Sequence, residues 1–343
     1  MKCRICGNAE GNRTFIIKEM MFGTRENFDY FECLCCGCLQ IFEAPENMSK
    51  YYPEKYYLSA QIEPKRQKRK TLKSFLKLPK VLLEDSLKTI MLKARVSLSY
   101  NFVGERISFS FPYSIFFNLP KESRIDFNSR ILEVGCGRGD LLSTLRNLGF
   151  KNVRGVDPYA DCGVEDVEIL RSTIHEISNS EAFDLIIFNH SFEHIWDQLE
   201  TLIKASKILS ESGTCVIRIP VKTEYIWNRY GVNWVQIDAP RHFFLHTLKS
   251  MRILSEKAGM LTKNAVFDSS EFQFWGSEQN KNNVPLRALG SYWVNPEKSM
   301  FSLHQISEYR KLAEKLNKIE QGDQAEFHIV KNKKESVKQN QIN

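Results

Sequence analysis

From residue 129 onward the apolar positions switch regularly between two periods. Residues 130–134 read as a short apolar strand, a glycine-rich turn follows, and 140–148 repeats apolar residues at helical spacing. Residues 153–156 are strand-like up to Asp157, 167–170 form another short strand, and 183–188 run apolar almost without interruption. That last pattern suits a strand buried on both faces. A helix over 196–209, stopped near Gly213, leads into a strand over 214–219 that ends at Pro220. A helix over 248–258 closed by Gly259, a strand near Ala265, a helix over 303–319 and a last strand over 325–330 complete the series. This alternation predicts an α/β fold, a doubly wound parallel sheet with right-handed crossovers. Two stretches break the rhythm. Residues 220–246 are 27 positions of aromatic, aperiodic sequence, a length usual for lids and binding loops. Residues 270–322 read as a helical insert.

Ahead of this unit the pattern differs. Residues 1–45 carry aromatic and β-branched residues between cysteine pairs, which predicts short strands in a small module. Residues 46–128 form a connector with Tyr51-Tyr52 and Tyr56-Tyr57, a basic belt, a helical stretch over 81–105, and an uncharged aromatic run over 107–120. The catalytic-size domain is expected over 129–331 and a disordered polar tail over 332–343. Composition agrees with a folded chain: of 343 residues, 42% are hydrophobic and 26% charged, which excludes wholesale disorder. No apolar run is long enough to span a bilayer, and Met1-Lys2-Cys3-Arg4 opens no secretory signal, so a soluble, cytoplasmic protein is expected. The net charge of +7 is local. Eight Lys/Arg and no acid lie between Lys65 and Lys80, so the rest sums to 7 − 8 = −1. A near-neutral body with one basic belt argues against a nucleic-acid partner, while leaving a peripheral contact with anionic lipid at the inner membrane face open. Oligomeric state is not legible.

Six of nine cysteines fall within the first 38 residues. Without an export signal this clustering reads as metal binding rather than disulfides. Cys3-x2-Cys6 and Cys33-x2-Cys36-Gly37 have the spacing of two knuckles around a structural, tetrahedral zinc. Cys35 and Cys38 offer a rival second pair; the glycine directly after Cys36 favours 33/36. Iron–sulfur ligation is a lesser reading.

Glu133-Val134-Gly135-Cys136-Gly137-Arg138-Gly139-Asp140 joins a strand to a helix, and Asp157 follows 22 residues after Gly135. A dinucleotide site would need glycine where Asp140 stands, and a carboxylate there opposes a pyrophosphate. An adenosine ligand without phosphates fits better. Asp157 would accept from both ribose hydroxyls, the turn amides would meet a carboxylate, and Glu133 would face a cationic end. The turn, the Val156-Asp157 strand end, Phe183-Asp184-Leu185-Ile186 with Asn189-His190-Ser191-Phe192-Glu193-His194-Ile195, and the stretch from Ile208 through Gly213 to Pro220 together resemble a class I S-adenosylmethionine-dependent methyltransferase. The resemblance covers about 129–331 and implies a Rossmann-like seven-stranded sheet whose last strand, 325–331, is antiparallel. It implies cofactor contacts from Glu133, Gly135, Cys136, Gly137, Asp157 and Asn189. Arg171-Ser172-Thr173 stands where many members place an acid near the adenine, so that contact stays open.

For the acceptor, Asp238-Ala239-Pro240-Arg241-His242-Phe243-Phe244 and the run from Leu316-Asn317 to Gly322-Asp323-Gln324 resemble zinc-ribbon methyltransferases of bacterial polysaccharide and nucleotide-sugar pathways. A sugar hydroxyl needs a general base. His242 is expected in that role, with Asp238 orienting it or the acceptor, and His190 is the alternative base. The resemblance implies O-methylation of a sugar, nucleotide sugar or glycan, the sugar C-methyltransferases of this kind typically carrying a further α/β domain. His190-x-x-Glu193-His194 also matches an inverted zinc-peptidase pattern, which needs one helix under both imidazoles and is rejected for a segment leaving a buried strand. A divalent metal held by Glu193 and His194 is a lesser reading. Rival functions are an RNA methyltransferase gripping phosphates with ribbon and belt, and a non-catalytic scaffold that keeps the fold.

Overall fold

The computed structural model describes residues 1–52, 112–160 and 167–332. The basic belt, the helical stretch over 81–105, residues 107–111, Cys162 and nearly all of the expected disordered tail lie outside the described residues.

Two sheets organise the chain. The first begins with three antiparallel strands, β1 (Arg13–Lys18), β2 (Asn27–Glu32) and β3 (Leu39–Ile41). The second is built from β4 (Arg130–Val134), β5 (Asn152–Val156), β6 (Glu168–Leu170), β7 (Phe183–Asn189), β8 (Leu209–Pro220), β10 (Met260–Phe267) and β11 (Gln324–Lys331). Its seven strands run in the order β10-β11-β8-β7-β4-β5-β6. The five from β8 to β6 are parallel, and β11 is antiparallel to both its neighbours. The expected α/β architecture and reversed last strand are therefore present. The uninterrupted apolar run of β7 has its predicted cause, since Leu185, Ile186, Ile187 and Phe188 are all fully buried between the two sheet faces.

Short helices flank the sheet. α1 (Tyr113–Asn118) and α2 (Asp140–Leu148) cover one face. Phe116 of α1 stacks on Phe150 at 5.1 Å, and α2 buries Leu141, Leu142, Leu145 and Leu148 along one stripe. α2 stops because Gly149 takes a left-handed conformation and its amide returns to the carbonyls of Leu145 and Arg146. On the other face lie α3 (Gln198–Ile208) and α5 (Leu248–Lys257), the latter started by a Thr247/Ser250 capping box. The insert after β10 supplies α6 (Phe272–Lys281) and α7 (Leu303–Lys318).

The first sheet is not a free-standing module. Its fourth strand is β9 (Phe244–Leu245), which pairs with β3 and comes from the far end of the 220–246 stretch. Leu39, Ile41, Tyr30 and Phe31 share one apolar core with Phe192, Ile217 and Phe244. The stretch itself is more ordered than its aperiodic sequence suggests, with α4 (Glu224–Tyr230) and two 3-10 turns.

Candidate active site

The turn between β4 and α2 uses its glycines for three different reasons. Gly135, Gly137 and Gly139 all have positive φ, which favours glycine. A Cβ on Gly135 would sit 2.3 Å from the Cβ of Ser191, and one on Gly139 would strike Ile169 at 2.7 Å. At Gly137 a Cβ meets nothing within 4 Å, so this side of the turn is open. Asp157 ties the turn to the end of β5: one oxygen accepts from the Gly137 amide at 2.9 Å, the other from Tyr159 at 2.7 Å.

Glu133 lies fully buried behind the turn with one carboxylate oxygen unpartnered. Burial pushes its carboxyl well above the usual range, and the charges of Asp140 and Asp157 push it further. A ligand cation at that oxygen would reverse the effect. An open glycine cradle, an acid at the end of β5 and an orphaned buried carboxylate fit the residues needed for S-adenosylmethionine. The Cys136 side chain turns into the core against Gly155, which leaves only its backbone facing the turn. Asn189 ends β7 with its side-chain oxygen accepting from Arg218 at 3.3 Å.

Beside this turn the chain leaving β7 forms a second constellation. Ser191 donates to the Val134 carbonyl, which holds residues 190–194 against the glycine turn. The segment is a 3-10 turn over Phe192–His194, so His190 and His194 do not share a helix face as the peptidase pattern requires. His190 accepts from the Arg218 guanidinium at 2.6 Å through Nε2, a partner that can only donate. That contact uses the lone pair a base would need, and speaks against His190 as the alternative proton acceptor.

His194 and His242 are oriented alike. Nδ1 of His242 lies 2.7 Å from the Gln236 carbonyl. Nδ1 of His194 lies 2.9 Å from the Arg241 carbonyl and 3.1 Å from the Tyr52 hydroxyl. Carbonyls only accept, so both rings carry hydrogen on Nδ1 and present Nε2 as a lone pair. Burial and the neighbouring His242 lower the His194 pKa below its ordinary value. One ring nitrogen of each histidine and a carboxylate oxygen of Glu193 lie within 4.8 Å of one another, with His242 Nε2 4.0 Å from Glu193 Oε1. Glu193 is wholly buried, and neither oxygen has a hydrogen-bond partner.

Asp238 pairs with Arg241. Its carboxylate grips Arg241 at 2.6 and 2.9 Å, and its nearest approach to His242 Nε2 is 3.8 Å. Burial raises its pKa, but the Arg241 guanidinium overcomes this and holds it below the ordinary aspartate value. The Gln236 carbonyl, not Asp238, orients His242. Arg241 is itself fully buried and reaches Glu19 of the N-terminal sheet at 3.0 Å, while Tyr30 donates to the His242 carbonyl at 2.9 Å. No local pattern marks Glu19, Tyr30 or Gln236, since each acts across a large chain separation or through backbone.

The cysteine cluster forms as its spacing predicts. Cys3, Cys6, Cys33 and Cys36 gather with sulfur separations of 3.6 Å (3/36) and 3.4 Å (6/33), near the roughly 3.8 Å edge expected for four sulfurs around one tetrahedral ion. The amides of Gly7 and Gly37 return to the Cys3 and Cys33 carbonyls at 2.9 and 2.8 Å, closing two matching knuckles. Cys35 is exposed and Cys38 is buried against its own strand, so the 33/36 pair completes the cluster.

The strand order, the reversed β11 and the glycine turn ending in Asp157 define the class I methyltransferase fold. Comparison with known proteins agrees: residues 105–260 match the family model described as a methyltransferase domain. A ubiquinone biosynthesis O-methyltransferase of Bradyrhizobium sp. (strain ORS 278) is 25% identical over 156 residues, covering 38% of this chain and 61% of its own length. One from Rickettsia bellii is 31% identical over 121 residues, covering 31% of this chain and 50% of its own. The chain thus spans between half and about three-fifths of these curated relatives. Among solved structures, a SAM-dependent methyltransferase from Archaeoglobus fulgidus aligns with a TM-score of 0.37 at 20% identity, over 70% of this chain and 93% of that one. The α/β unit has the class I methyltransferase fold and matches the methyltransferase-domain family over residues 105–260.

Proposed function

We propose that the protein transfers a methyl group from S-adenosylmethionine to a hydroxyl oxygen of a small-molecule or glycan acceptor, with a sugar or nucleotide sugar as the preferred class. The observation carrying the reading is the Glu193–His194–His242 cluster, set against the glycine turn with two oriented Nε2 lone pairs. When bound, the cofactor supplies an electrophilic methyl carbon on a sulfonium. Asp157 would take the ribose hydroxyls, the amides of the turn the carboxylate, and Glu133 the ammonium end. The acceptor oxygen then needs alignment with that carbon and loss of its proton, contributions worth up to roughly 7–11 kcal/mol and about 10²–10⁴ in rate. His242 Nε2, with Nδ1 held on the Gln236 carbonyl, would take that proton.

The four-cysteine cluster is proposed to hold a structural zinc. Four thiolates fill a tetrahedral sphere and leave no position for chemistry. No helix among the described residues is long and apolar enough to cross a membrane, and the belt invoked for anionic lipid lies outside them.

A second acceptor class has its own support: the curated relatives are named as ubiquinone biosynthesis O-methyltransferases, so a phenolic hydroxyl competes with a sugar hydroxyl. Incubation with methyl-labelled S-adenosylmethionine and native cell extract separates the readings. Label in a nuclease-resistant sugar nucleotide or glycan is the expected result. Label in an apolar, solvent-extractable phenol moves the acceptor to the second class. Label lost on ribonuclease treatment, or no cofactor binding at all, overturns the proposal.

A further inference from the structure

We propose that Asp323 is a positioning residue for His242: it anchors the turn whose Gln236 carbonyl fixes the imidazole, and so decides which ring nitrogen is left bare. The inference rests on the proposed methyl transfer for its purpose and gives a role to the run from Leu316-Asn317 to Gly322-Asp323-Gln324. Each polar position of that run has a physical reason. The Asn317 side chain brackets Ser269, accepting from its amide at 3.1 Å and donating to its carbonyl at 2.9 Å. Position 322 excludes a side chain, because a Cβ there would lie 2.3 Å from both Asn317 Oδ1 and Ser269 Oγ. This close approach brings the chain to the root of the 220–246 stretch. Gln321 accepts from the Thr223 hydroxyl and the Tyr225 amide, each at 3.1 Å, and the Asp323 carbonyl accepts from the Val221 amide at 2.8 Å.

The Asp323 side chain reaches further along the same stretch. It is fully buried, accepts from the Trp234 indole at 2.9 Å, and is hydrogen-bonded by the Gln236 and Ser269 side chains. Burial of a carboxyl is costly unless it is paired, and here its partners come from two separate segments. Trp234 caps the 3-10 turn Val235–Ile237, and Gln236 lies within it. Both ends of Gln236 are therefore in use: its side chain meets Asp323, and its carbonyl lies 2.7 Å from His242 Nδ1. The carbonyl keeps hydrogen on Nδ1 and the lone pair on Nε2. Drift of about one ångström at Gln236 would stretch that contact beyond hydrogen-bond range and release the ring.

The neighbouring residue serves a different histidine. Gln324 donates to Asp268 at 2.9 Å, Asp268 accepts from Arg218 at 2.6 Å, and Arg218 holds His190 Nε2 at 2.6 Å. Two adjacent positions thus lead by separate bonds to two different imidazoles. A role confined to holding the fold together would not keep these effects apart.

The test is side-chain nitrogen NMR of the full chain labelled with ¹⁵N-histidine, recorded near pH 8, which reads the tautomer of each ring. His242 and His190 are assigned by the signals lost in His242→Gln and His190→Gln. The parent should show His242 with hydrogen on Nδ1 alone. Asp323→Leu should mix its tautomers, and Asp323→Asn should restore the single one, because the amide still accepts from the indole and can pair with Gln236. Gln236→Leu, at a half-buried position, cuts the same link from its other end and should also mix them, which covers a misfolded Asp323→Leu. Gln324→Leu should disturb His190 and leave His242 as it is. With methyl-labelled S-adenosylmethionine and native cell extract, Asp323→Leu should slow incorporation by on the order of 10²-fold, the cost of an ångström of misplacement. Its S-adenosylmethionine affinity by calorimetry should stay within about twofold, since the glycine turn is untouched. An unchanged His242 tautomer in Asp323→Leu or in Gln236→Leu, or equal disturbance of His242 by Gln324→Leu, overturns the positioning. Mixed tautomers in both link variants of a parent that methylates nothing in extract would leave the positioning standing and remove the proposed function.

Discussion

The contact between Glu19 and Arg241 offers a direct test of whether the N-terminal sheet is part of the candidate active site. Glu19 is wholly buried; one oxygen accepts from the amides of Met21 and Phe22 and from Arg241, the other from the amides of Gly23 and Thr24. Replacing it by Gln keeps the shape but removes the charge and turns an NH2 group toward donors. Removing one partner of a buried ion pair costs about 3–5 kcal/mol. Asp238 still pairs with Arg241 in the variant, which places the expectation at the low end, about 3 kcal/mol. Equilibrium urea unfolding of the full chain, followed by tryptophan fluorescence, reads that loss. Arg241 neighbours His242, so turnover should fall as the loop loosens. S-adenosylmethionine affinity should stay within about twofold, because the glycine turn makes no contact with Glu19. A loss below about 1 kcal/mol with unchanged turnover would refute the idea that this pair clamps the loop.

The glycines of the turn should separate by cause. Gly135→Ala drives a Cβ into Ser191 and should abolish S-adenosylmethionine binding, whereas Gly137→Ala bears only the left-handed backbone penalty of about 1–2 kcal/mol, roughly 5–30-fold weaker binding. Calorimetry giving the two equal affinities would contradict this. In the cysteine cluster, Cys33→Ser should cost one metal equivalent by elemental analysis and Cys35→Ser none; the reverse order would restore the rival pair. Burial raises Asp323 from 3.8 to about 7, against hydrogen bonds that include one from Trp234. A carboxyl raised in the fold favours folding below the unfolded pKa and loses that contribution as pH rises through the folded one. Asp323→Asn should therefore match the parent near pH 4 and exceed it near pH 8 by up to roughly 4 kcal/mol. An equal difference at both pH values would show that Asp323 does not titrate in this range.

What the sequence showed follows the range of the interactions. β7 was legible because burial on both faces leaves an apolar run within six residues, and the cysteine cluster because each knuckle closes within four. The glycine turn was legible for the same local reason. The helix expected over 196–209 is Gln198–Ile208, because Leu209 already pairs with Phe183 as the first residue of β8. Long-range partners left no local mark. Nothing near Glu19 announces Arg241, and nothing in His190-x-x-Glu193-His194 says that His190 turns to Arg218 while His242 takes its place.

The aperiodicity of 220–246 has a physical explanation. A single period arises when an element buries one face against one neighbour. This segment is buried in several directions. Trp234 donates from its indole to Asp323 ahead of β11, and the Val235 amide donates to Ser277 on α6. Arg241 and His242 then turn toward Glu19 and Tyr30, and Phe244 enters the sheet of β1 to β3. Each partner imposes its own spacing, and their sum shows no repeat. The same arrangement makes His242 sensitive to its surroundings on both sides. The residue proposed to meet the acceptor sits between a fixed carbonyl at Gln236 and a strand shared with the cysteine-bearing sheet. Release of the ion proposed there should therefore reach the candidate active site through β3, β9 and Tyr30, without any ligand of that ion touching substrate.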